Sequence, residues 1–100
     1  MAEKKNWSEA IAKQLGVPSV DVLSTFASRQ WRVVYVDTHQ ADEVFLFYPN
    51  VPAEGTYINM WSGAAMRSEG AAMEEWALKN VPGIPKQLAS CFAWYATAGR

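Results

Sequence analysis

The stretch Gln30-Trp31-Arg32-Val33-Val34-Tyr35-Val36-Asp37 decides the fold class of this chain. β-Branched and aromatic residues dominate it, and Trp31, Val33 and Tyr35 alternate with Arg32, Val34 and Val36 in the two-residue period of a strand. Thr38 to Asp42 is polar and turn-like. Glu43 to Tyr48 then resumes the alternation, with Val44, Leu46 and Tyr48 on one face and Phe45 and Phe47 on the other. A strand that is apolar on both faces belongs in the middle of a sheet. Pro49, Asn50, Pro52 and Gly55 supply a longer connection, and a third strand is expected over Thr56 to Trp61. Three consecutive strands with short links predict an antiparallel meander.

Helical signals flank this core. Asn6, with Glu9 three positions later, is a capping-box pattern, so a helix is expected to begin there and to leave Met1 to Lys5 as a flexible tail. Trp7, Ala10, Ile11 and Leu15 share one face of that helix, and Gly16 is placed to end it. After Pro18, Ser19 offers a second cap. Val20, Leu23 and Ala27 recur at helical spacing, which predicts a second helix as far as Arg29. Downstream, Gly63-Ala64-Ala65-Met66 recurs as Gly70-Ala71-Ala72-Met73. The glycines weaken a continuous helix, so Ser68 is read as the cap of a helix reaching Asn80, with Met73, Trp76 and Ala77 inward. Pro82 and Gly83 break the chain, and Pro85 opens a last helix. Its inward stripe is read as Leu88, Cys91, Phe92 and Tyr95, with Ala89, Ala93 and Ala96 beside it. The expected fold is α+β: one domain over residues 1–100, with two N-terminal and two C-terminal helices on one face of a small three-stranded antiparallel sheet.

Composition narrows the function classes. Half of the 100 residues are hydrophobic and 19% are charged, enough apolar material to fold one core and too little charge for a disordered chain. A formal charge of −1 provides no field that would gather phosphate-bearing partners. Cys91 is the only cysteine, which fits a reducing compartment. No apolar run approaches membrane-spanning length, and the first residues lack the apolar stretch of a signal peptide, so a cytoplasmic location is expected.

Few residues carry chemistry. His39 is the single histidine and lies near Asp37 and Asp42, either of which could orient it as a base; a solvated turn histidine is the stronger reading. One histidine and one distant cysteine do not make a zinc site, and Glu69, Glu74 and Glu75, or Asp42 and Glu43, read as solvated surface. Gly63 and Gly70 fit neither phosphate-cradling glycine pattern. No catalytic residue, metal or cofactor is assigned. Cys91 reads as a buried, inert thiol.

Two features point to partners. Between Ser8 and Phe26, the residues Ala12, Leu15, Gly16, Val17 and Val22 resemble a helix-turn-helix. Its second helix would present Ser19, Asp21, Ser24 and Thr25 rather than the basic and amide side chains that read bases, so a DNA-binding role over Ser8 to Arg29 is an alternative only. The other feature is thirteen aromatic residues, five of them tryptophan. A sheet covered on one face would leave some of them open, and Tyr35, Phe45, Phe47, Tyr57 and Trp61 are the candidate partner-binding residues. The leading expectation is a small non-catalytic regulatory or interaction module that binds a protein partner or its own copy through that aromatic surface or through the C-terminal helix. A small enzyme or ligand-binding protein, with a pocket between sheet and helices and using His39, Asp37 or Tyr57, is the further alternative.

Overall fold

A computed structural model describes residues 2–40, 43–63 and 66–99. Helix α1 (Ala2–Leu15) leads into a four-stranded antiparallel sheet, β1 (Asp21–Ser28), β2 (Trp31–Asp37), β3 (Val44–Tyr48) and β4 (Asn59–Ser62), in that spatial order. Helices α2 (Gly70–Asn80) and α3 (Lys86–Trp94) follow, and α3 runs on into a π-turn, Tyr95–Gly99. The α+β class and the meander are as expected, but the described residues form one strand more and one helix fewer.

The difference lies at Asp21–Ser28, where a helix was expected and β1 stands. Val20, Leu23 and Ala27 fit a helical stripe, yet Val22, Thr25 and Phe26 are good strand formers. Along one side of the segment, β2 offers a full ladder, from Asp21 opposite Asp37 to Ser28 opposite Trp31, with a bulge between Val22 and Ser24. A long-range partner therefore outweighs local periodicity. The hairpin turns at Arg29, which takes a left-handed φ of 58°, and Arg32 Nη1 holds the turn by donating to the Arg29 and Trp31 carbonyls at 2.8 and 2.9 Å. With β1 a strand, Asp21–Ser28 supplies no second N-terminal helix, and the helix-turn-helix reading of Ser8 to Arg29 loses its geometry.

The second correction concerns the layers. Helices cover both faces of the sheet. On one side Trp7, Ile11 and Ala12 of α1, with Val20, bury Val34, Val36, Leu46 and Tyr48. On the other, Met73 and Ala77 of α2 and Leu88, Ala89, Phe92 and Ala93 of α3 bury Trp31, Val33, Tyr35, Phe45 and Phe47. Central strands that are apolar on both faces require this arrangement, since an open face would leave half of those side chains in water.

Local chemistry sets the element ends. Helix α1 begins at Ala2, so Asn6 is an interior residue and not a cap. Its end is where Gly16 predicts: Gly16 has φ 71°, its N–H donates to the Lys13 carbonyl and that of Val17 to Ala12, the paired bonds of a Schellman motif. A 3-10 turn over Arg67–Glu69 leads into α2, and the Met66 N–H donates to Glu69 Oε1 at 2.8 Å, so Ser68 lies inside the turn instead of capping the helix. Pro85 stands at the N-cap of α3, where its missing N–H costs no bond. Gly83 is at φ 87°, with room for a Cβ only 3.2 Å from the Trp31 ring, so the turn between α2 and α3 lies directly on the sheet's first core residue.

Candidate functional site

The expected aromatic platform does not exist. Phe45 and Phe47 are fully buried and Tyr35 nearly so. Phe92 of α3 meets both phenylalanines edge to face, at 5.0 and 4.9 Å between centroids, and Tyr35 stacks on Phe45 at 4.4 Å. Trp61 is half-buried against Phe45 and Phe92 on this same side, whereas Tyr57 packs against Tyr48 on the α1 side. The five residues therefore belong to two opposite layers. They hold the fold together, because helices cover the face that would have displayed them.

His39 is placed at the far end of the β1–β2 hairpin. Its Nε2 lies 2.9 Å from Asp21 Oδ2, its Nδ1 lies 3.6 Å from Asp37 Oδ2, and its N–H donates to Asp37 Oδ1 at 2.8 Å. Asp21 and Asp37 are opposite one another in the ladder, so His39, at φ 62°, folds back across the strand ends. Sequence reading paired His39 with Asp37 but missed Asp21, which only the strand pairing brings near. Asp42 lies outside the described residues. Both ring nitrogens face carboxylates, an arrangement that ties down the hairpin end. Among the described residues no three histidine, cysteine or acidic side chains group as metal ligands.

A groove lies elsewhere, between the Arg29 end of β1 and the outer side of α3. It encloses about 910 Å³ and is lined by Phe26, Ala27 and Ser28 of β1, Glu74 of α2, and Lys86, Gln87, Leu88, Ser90, Cys91 and Trp94 of α3. The spacing of the α3 residues explains how one short helix serves both core and groove. Leu88, Ala89, Phe92, Ala93 and the following Ala96 face inward, while Gln87, Ser90, Cys91 and Trp94 fall on the adjoining face. Cys91 is thus exposed, contrary to the expected burial, whereas Tyr95 packs against Tyr35 and Phe45 as expected; Ala89, Ala93 and Ala96 complete the inward stripe in place of Cys91, and their small size lets α3 approach the sheet. Trp94 is 62% exposed at the rim. Its ring folds back over Gly99, where an added Cβ would come within 2.7 Å of it.

The groove's floor is fixed from behind. Phe26 packs edge to face on Tyr95 at 5.0 Å, and Ser24 Oγ donates to the Tyr95 hydroxyl at 3.0 Å, so the π-turn is tied to β1. None of Phe26, Leu88 or Trp94 was singled out as a partner residue from sequence. The available signal was Trp94, a large apolar residue that falls off the inward stripe of Leu88 and Phe92 on the same short helix.

No family model matches the chain, and no curated protein or solved structure matches it. Among the described residues no helix is long and apolar enough to cross a membrane.

Proposed function

We propose that this chain is a small protein-interaction module whose contact surface is the groove between β1 and α3. The observation that carries this reading is Trp94, a large aromatic side chain left 62% exposed at the rim of an apolar groove whose floor, Phe26 and Leu88, is held rigid by the core. Tryptophan is the residue type most enriched among interface anchors, and an anchor on a preformed surface forfeits little ordering entropy on binding. Leu23, 45% exposed at the β1 bulge, extends the apolar surface along the same strand. The supporting argument from charge is that a net −1 gives no footprint for phosphate recognition.

The test is capture of partners by the full chain from its native host, compared with Trp94→Ala. The reading expects the variant to keep its melting temperature and to lose the captured protein; equal capture by both proteins overturns it. The groove's volume also lies within the range of small-molecule sites, which favours a ligand-binding reading next. In that case a metabolite panel would raise the melting temperature of the wild type and leave that of Trp94→Ala unmoved.

A further inference from the structure

We propose that the occupant of this surface is a second copy of the chain, joined through antiparallel pairing of the two β1 strands, a reading that rests on the interaction role of the β1–α3 groove.

Strand β1 is the longest in the sheet and an edge, hydrogen-bonded along one side only, to β2. Natural edges are blunted by proline, inward lysine or very short length, and β1 has none of these: Val22 to Ala27 carries no charge and no proline. Its bulge lies near one end, between Val22 and Ser24, and leaves Ser24 to Ser28 in unbroken register. An isologous pair must be self-complementary, with each end of the strand matching the opposite end of its copy.

The charges around β1 meet that condition. At its start Asp21 pairs across the ladder with Asp37, and at its finish Arg29 forms the turn beside Arg32. Two copies pairing antiparallel about Phe26 bring the acidic end of each against the basic end of the other, with the bulge setting Asp21 within about one residue of the partner's Arg29. A parallel pairing would instead set acid against acid and base against base. On the groove side Phe26 of each strand meets its own copy at the axis, beneath the exposed Trp94 residues. The product is a continuous sheet of eight strands in which neither β1 edge remains open.

Sedimentation equilibrium of the full chain across concentration tests the pairing, with Asp21→Arg, Arg29→Asp and the double variant as probes and thermal melting as the check on folding. The wild type is expected to dimerise, each single variant to weaken the dimer by roughly tenfold or more by setting like charges together, and the double variant to regain it. If a single variant fails to fold, concentration-dependent protection of the β1 amides in wild-type hydrogen exchange replaces it, and absence of that protection counts against the pairing. A wild type that stays monomeric, or a dimer indifferent to all three variants, overturns the proposal. A monomer that still loses a captured partner on Trp94→Ala overturns self-pairing alone, while a monomer whose captured proteins ignore Trp94 overturns the interaction reading as well.

Discussion

Gln14 joins three elements with one side chain. Its Oε1 accepts from the buried Tyr48 hydroxyl at 2.8 Å, and its Nε2 donates to the Pro52 and Gly55 carbonyls at 3.1 and 2.9 Å, so α1, β3 and the loop after it meet at a single amide. Gln14→Leu should cost about 1–3 kcal/mol in denaturant melts, because the Tyr48 hydroxyl would be left buried without its acceptor. Burial, with Tyr57 adding to it, raises the Tyr48 phenol well above its ordinary range. The unfolded chain therefore releases this proton first as pH rises. Tyr48 stabilises the fold fully below the unfolded tyrosine pKa, about 10, and that contribution is lost as pH climbs from there toward the raised folded value. A stability-versus-pH titration should show an alkaline decline that Tyr48→Phe shallows, at a cost of about 1 kcal/mol near neutrality from the orphaned Gln14 oxygen. At Cys91 the outcome is simpler. The thiol is exposed, so it should react with a thiol reagent in the native state, and Cys91→Ser should change stability by no more than about 0.5 kcal/mol.

Helix α3 depends on small residues as much as on large ones. Ala89, Ala93 and Ala96 are buried against the sheet layer, and Phe92 can reach Phe45 and Phe47 only because these alanines allow the helix to lie close. Ala93→Leu should overpack that contact and lower stability by about 1–3 kcal/mol by calorimetry, with Cys91 reactivity as a second readout of helix displacement. In β1 the ordering contact is Ser24 to Tyr95, a link across 71 positions that no local pattern announces. The strand itself was legible only in part: Val22, Thr25 and Phe26 are good strand formers, but a bulge puts Val22 and Phe26 on opposite faces of the sheet, and Val20, Leu23 and Ala27 imitate a helix. Short apolar segments are ambiguous between the two periods, and here the open side of β2 decides.

Across the whole molecule, covering both sheet faces moves the site from the sheet to its edge. Tyr35, Phe45 and Phe47 become core, and an apolar groove remains where β1 and α3 leave a gap, with Trp94 exposed at its rim, while Ile58, Met60, Met66 and Leu78 are exposed elsewhere. Trp94→Ala should spare the melting temperature to within a few degrees and cost on the order of 2 kcal/mol of association, measured by sedimentation or partner titration. Phe92→Ala should do the reverse, costing about 3–5 kcal/mol of stability, since its ring contacts lie wholly within the core.

By itself, the sequence determined the strands whose two faces are both apolar, the helix stop at Gly16 and the start of α3 at Pro85, because periodicity and backbone chemistry act within a few residues and need no distant partner. Tertiary structure alone decided that β1 is a strand, that α1 lies on the opposite face from α2 and α3, that Asp21 meets His39, and that Cys91 and Trp94 look outward. Each of these depends on which surfaces compete for burial. That competition is resolved only when β2 finds a neighbour on its open side and three alanines, not a cysteine, give α3 its closest approach to the sheet.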